Sequence, residues 1–201
     1  VALTLCKSNP HDQAVYGNPR WAFDTGLPAP HVALDSPVIV QRHLHALLLS
    51  RFFSATLDGA EDDNLSLTTG WFFKADDGPA RQFSAWCRDP ARVQDTDLAQ
   101  AVRLLLRHSV FECEPVAAVL AQAAAALDER TRRWQTQWRV LVAQRVTALK
   151  AGGEQDPAYK AIGYQMQRVE GENLLRELAT DGFLPGYGFP TDIVAFDNLT
   201  A

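Results

Sequence analysis

The segment from Val116 to Ala151 contains neither glycine nor proline and is built mostly of Ala, Leu, Val, Gln and Arg. Residues of that kind lose little on entering a helix, so nothing in the segment interrupts one. Pro115 has its φ preset for a first helical turn, and Gly152-Gly153 supplies a stop. The sequence therefore predicts one helix over 115–150, roughly 50 Å long at about 1.5 Å per residue. It is the longest element in the chain of 201 residues. The Ala-rich run 117–126 fits close helix packing, because small side chains let a neighbouring backbone approach.

The remaining elements read mostly as helices too. Asp35-Ser36-Pro37 is a helix start, with an acceptor for the free amides and proline at the first turn. The helix it opens is predicted to run to about Phe53. Val38, Leu44, Leu47, Leu48 and Phe52 form its apolar side, with Gln41, Arg42, His45 and Arg51 as the polar positions. Asp95-Thr-Asp97 caps a helix to about Ser109, with Leu98, Val102, Leu105 and Leu106 inward and Arg103 and Arg107 towards solvent. Asp156-Pro157 starts a last helix ending near Gly182, in which Gly163 and Gly171 are points of possible close approach. Trp71-Phe-Phe-Lys74 reads as a short strand or an aromatic packing clip, Asp76-Asp-Gly-Pro79 as a turn, and 58–64 as an acidic mobile loop. Val1-Ala-Leu-Thr-Leu-Cys6 suits a strand buried on both faces. The Pro- and Gly-rich stretch that follows reads as a connector with at most one short helix, pinned by Tyr16, Trp21 and Phe23. The expected fold is mainly α: a helical bundle with a long helix and one N-terminal strand segment left over from an α/β domain. Residues 1–30 form that trailing piece and 31–201 the helical domain.

Composition excludes several functions. Every apolar run is broken by an arginine such as Arg42, Arg51 or Arg103 before the roughly 18 residues a membrane span requires. The 19 basic and 24 acidic residues give a net charge of -5. Nucleic-acid binding would thus have to use a local patch. Cys6, Cys87 and Cys113 are three, widely spaced, and contain no Cys-x-x-Cys pair. Neither a disulfide framework nor a zinc site is signalled, and a reducing cytoplasm is the plain expectation.

Chemistry is equally sparse. His43 and His45 stand two apart, pointing to different sides of a helix, so they cannot share an ion as residues four apart can. His108 and Cys113 with Glu112 and Glu114 make only a loose cluster. There is no nucleophile elbow, phosphate loop or dinucleotide fingerprint, and Gly186-Tyr-Gly188 lies between prolines that deny it a following helix. No cofactor is expected in these residues.

Two basic features remain. One is Arg42, His43, His45 and Arg51 on the first long helix. The other is Arg130, Arg132, Arg133, Arg139 and Arg145, interleaved with Trp134 and Trp138. Arginine forks suit phosphate and tryptophan faces suit unpaired bases. Trp134 and Trp138 also fit a core stripe continued by Leu141 and Leu149, and the arginines also fit a solvated face. The candidate DNA contacts are Arg42, His43, Arg132, Arg133 and Arg139.

The order of segments carries a further signal. Val1 to Cys6, Asn9-Pro-His-Asp-Gln13, Asn18-Pro19, Val32-Ala-Leu-Asp-Ser-Pro37 and Gln41-Arg-His43 resemble the stretch after the arginine-finger motif of bacterial superfamily-two DExH-box helicases. The subgroup is the one with a helicase-associated zinc-binding domain, found in DNA repair and phage defence. Glu172-Asn-Leu-Leu-Arg-Glu-Leu-Ala179 and Gly182-Phe-Leu-Pro-Gly-Tyr-Gly-Phe-Pro-Thr-Asp-Ile-Val194 are similar to the segment leading towards that domain. The resemblance implies an ATP-dependent DNA helicase or translocase as the parent, with ATP and Mg²⁺ held by motor domains outside these residues. Its engine motifs are missing here, so no ATP hydrolysis is expected of this chain alone. The expected partners are DNA and the rest of the helicase chain; the alternative is a helical protein-interaction scaffold within a defence or repair complex, in which the Trp-bearing helix and the Gly186-Tyr-Gly188 turn dock a partner subunit.

Overall fold

The computed structural model describes residues 7, 8, 10–20, 35–57 and 67–186. Contacts divide the chain into two units, Val1–Val32 and Ala33–Ala201. In the first, α1 (Pro10–Gly17) is a short helix whose first turn is anchored by Asp12, which accepts from the Lys7 amide at 2.8 Å. Tyr16 on α1 is exposed rather than a pin. The predicted strand 1–6, Trp21, Phe23 and the acidic loop 58–64 lie outside the described residues.

The second unit is a helical bundle. Its elements are α2 (Pro37–Leu57), α3 (Thr69–Phe73), α4 (Pro79–Arg88), α5 (Pro90–Gln94), α6 (Thr96–Leu106), α7 (Val116–Gly152), α8 (Pro157–Gly171) and α9 (Leu174–Thr180). Among the described residues there is no strand, only an isolated bridge between Thr68 and Asn173. Helix starts follow local chemistry. Asp89 accepts from the Ala91 amide, Asp95 from Leu98 and Asp156 from Ala158, each in place of an absent helical carbonyl.

The spine is α7, and its first half supplies more of the buried core than any other helix. Val119, Leu120, Ala123, Ala124 and Leu127 are all essentially without solvent contact. The two alanines admit α4 so closely that the Ser84 hydroxyl reaches the Ala124 carbonyl at 3.5 Å. Phe52, Phe72, Phe83 and Phe183 fill the space around this seam, with Phe52 and Phe83 edge to face.

Several boundaries differ from expectation. Trp71-Phe-Phe-Lys74 belongs to a one-turn helix rather than a strand, because the Thr68 side chain caps the Trp71 amide; Phe72 and Phe73 do pack inward. Pro79 opens α4 instead of merely closing a turn. On α2, Leu44, Leu48 and Phe52 are buried as expected, but Val38 is exposed and His45 is buried. The helix after Asp95 ends at Leu106, before a turn in which His108 takes a φ of 62°. The last helix is two, because the 172–174 segment pairs sideways with 67–69, the Glu172 carbonyl accepting from the Thr69 amide and the Leu174 amide donating to the Leu67 carbonyl, and the Asn173 side chain then caps α9. Nothing approaches Gly171 within 4 Å, and at Gly163 a methyl would only touch Arg145. The close approach is at Gly70, where an added Cβ would lie 3.0 Å from Glu170.

Beyond Leu141 the second half of α7 buries no side chain, and on α8 only Met166 is buried. The two helices form a hairpin arm whose base is fixed by α3 through Thr69, Gly70 and the Lys74–Glu170 ion pair.

Candidate nucleic-acid interface

The middle of α7 carries the arginines, and the chain leaving α9 meets them. α9 ends in a turn where Gly182 takes a φ of +73°, a conformation glycine adopts without the penalty a Cβ brings. The turn projects Asp181 towards α7 and drives Phe183 into the core. Asp181 pairs with Arg130 at 2.7 Å and Arg133 at 3.0 Å, while the Arg42 Nε of α2 donates to the Gly182 carbonyl at 3.2 Å. The Arg130 guanidinium lies over the Phe183 ring, 5.1 Å from its centre. The segment is a clasp between α2 and α7.

His45 completes it from beneath. Its ring stacks on Phe183 at 4.2 Å and its Nδ1 lies 3.0 Å from the Phe183 carbonyl, which can only accept, so the ring is the Nδ1–H tautomer. Burial pulls its pKa down to about 4, helped by the charge of Arg130 and opposed by the bond to Phe183. His45 is a neutral structural donor. Beside the clasp is a cleft of about 270 Å³ whose walls include Trp134, Gln137 and Glu177. Burial raises the Glu177 pKa, with Glu172 and Asp181 adding to the effect.

The sequence-derived candidates are placed differently from one another. Arg133 is exposed and shared with Asp181; Arg132 is exposed and paired with Glu129. Arg139 is exposed with no ion pair among the described residues. Arg42 is half-buried in the clasp, and His43 is half-buried on α2. Thus Arg42 is brought towards Arg130 and Arg133, whereas Arg132 and Arg139 lie on the outer face of α7. Trp134 is 8% exposed, stacked between Phe73 and Trp138, and Trp138 is half-buried with Lys74 over its ring at 4.9 Å. The tryptophans are a core stripe and not a stacking platform; Leu141 continues it, but Leu149 is exposed.

Asp181 and Phe183 were not among the sequence-derived candidates, and His45, expected as a polar basic position of the first long helix, is instead buried against Phe183. The one available signal was Gly182 as a helix stop. That Asp181 beside it reaches α7 is a matter of how α9 docks.

Cys87 is buried, and burial pushes its thiol up to about 12, so it is no nucleophile. Cys113 is exposed. Among the described residues no three His, Cys, Asp or Glu side chains converge as metal ligands, and no helix is long and apolar enough to cross a membrane.

No family model and no solved structure matches the chain. It is similar to the Druantia protein DruE of Escherichia coli (strain UMEA 4076-1), with 24% identity over 208 residues. That alignment covers 98% of this chain but only 11% of the length of the relative.

Proposed function

We propose that the chain is a helical accessory region of a much longer ATP-dependent DNA helicase or translocase, and that its own contribution is to hold DNA against the outer face of α7. The resemblance of its segment order to that of phage-defence and repair helicases supports the parentage, as does the similarity to a Druantia protein several times longer than this chain. The observation that carries DNA contact is the row formed by Arg132 and Arg139. Seven residues apart, they stand on one side of the helix, about 10 Å apart along its axis. Arg139 has no ion pair among the described residues to compete with phosphate, and Arg133 stands beside the row with its charge shared by Asp181. ATP and Mg²⁺ belong to the motor domains of the longer protein.

Fluorescence anisotropy with labelled single- and double-stranded oligonucleotides tests this at low salt. The wild-type chain should bind weakly and lose affinity steeply as salt rises, and replacing Arg132 and Arg139 by alanine should lower the log–log salt slope by about two. Trp134→Ala should cost about 3 kcal/mol of stability, as truncation of a core aromatic does, while leaving binding by the folded fraction unchanged. Equal affinity of wild type and the double-arginine variant would refute the DNA-contact reading.

A further inference from the structure

The arm has a second face that the DNA reading does not use. Val142, Val146 and Leu149, at i, i+4 and i+7 of α7, face Tyr159 and Met166 of α8 across a groove of about 260 Å³. The three aliphatic side chains are 39%, 45% and 40% exposed, although this stretch carries no charge at those positions to explain a solvated face. Among the described residues no third element covers this stripe. Gly163, between Tyr159 and Met166, puts no side chain into the groove, and Arg145 passes 3.8 Å from where its Cβ would be.

Arg145 gives the groove its chemistry. Its guanidinium is held over the Tyr159 ring at 4.6 Å and its Nη2 donates to the Tyr159 hydroxyl at 3.1 Å. Its Nε is buried with no acceptor, and among the described residues no carboxylate pairs with it. A fixed, partly desolvated cation without a counter-charge among the described residues lies among aliphatic walls. Nucleic acid would match the charge but not the aliphatic walls, which offer a base only the single Tyr159 ring, already covered by Arg145. A second copy of this arm would bring like charges together.

We propose that this groove docks an acidic amphipathic α-helix of a protein partner, with an apolar side chain between Val146 and Met166 and a carboxylate on Arg145. Helix-in-groove recognition uses the i, i+4, i+7 anchoring that the α7 stripe presents, and a fork such as Arg145 favours a carboxylate in paired geometry.

The test uses the full chain and a synthetic fluorescent helical peptide carrying Leu at i, i+4 and i+7 with Glu between them, beside the same peptide with Lys in place of Glu. Amide chemical shifts report the site. The Glu peptide should bind with shifts centred on Val142, Val146, Leu149 and Met166, and the Lys peptide should bind at least about tenfold more weakly. Val146→Glu and Arg145→Gln should each weaken the Glu peptide by about tenfold, the range of a hot-spot contact. Val146 is exposed, so its variant stays folded by circular dichroism even if Arg145→Gln does not. Equal binding of the two peptides, or shifts elsewhere, would overturn the proposal. So would an oligonucleotide that displaces the peptide from these residues, or self-association of the chain through them.

Discussion

At the scale of single residues, His45 shows how burial converts a titratable group into a structural one. The unfolded chain takes up its proton near the ordinary value of 6.5, but the folded protein resists until about 4. Between those values the unfolded state binds more protons, so stability falls as pH falls. The effect should be absent above about pH 7 and approach 3 kcal/mol below pH 4, at about 1.4 kcal/mol per unit of pKa difference. Urea melts of wild type and His45→Asn from pH 7.5 to 4 measure this. The amide of asparagine can still donate to Phe183 but cannot titrate, so the variant should lose much of the slope in this window. Parallel curves would place the pH sensitivity elsewhere. The same burial that silences His45 removes Trp134 from any role with bases.

At the scale of elements, the order of importance is set by where two backbones touch. Gly70 lies in the one turn of α3, and by helix propensity alone alanine there should stabilise by up to about 1 kcal/mol. Its neighbour decides otherwise. A Cβ would meet both the Cβ and the backbone oxygen of Glu170 at 3.0 Å, and the last turn of α8 is held in place by the Thr69 hydroxyl, which donates to Val169. Gly70→Ala should therefore lower stability by about 1–2 kcal/mol, the cost of overpacking a site that cannot easily yield, and differential scanning calorimetry should show a lower Tm. A higher Tm would mean that α8 moves freely at its base. The Asp181–Phe183 clasp belongs to this scale as well, because one short turn ties α2 to α7 by a carboxylate, a carbonyl and a buried ring.

At the scale of the whole molecule, the helical unit is uneven. One half of α7 runs through a core of aromatic and aliphatic side chains, and the other half forms an arm whose sole fully packed positions are Leu141 and Met166. Few buried contacts mean low local stability. Native-state hydrogen exchange should find amides of 144–151 and 158–165 opening well below the global unfolding free energy, by several kcal/mol, and those of 119–134 opening only with it. Uniform protection along α7 would show the arm to be as stable as the body. A helix that occupied the arm groove should raise protection there first.

The local sequence determined the helical class, the span of α7 and most helix starts, because glycine, proline and capping side chains act over a few residues. Pro115, Gly152, Asp95, Asp156 and the Asp35-Ser36-Pro37 run needed no partner to be read. Tertiary structure decided what no local rule reaches. The split between α8 and α9 rests on Asn173 meeting a segment about a hundred residues away, and the burial of His45 rests on Phe183 arriving beneath α2. Of the candidate arginines, spacing along α7 fixed that Arg132 and Arg139 share a face. Only packing decided that Arg133 answers to Asp181, Arg42 to a backbone carbonyl, and Arg145 to no carboxylate among the described residues, since an ion pair depends on which distant element is brought within a few ångströms.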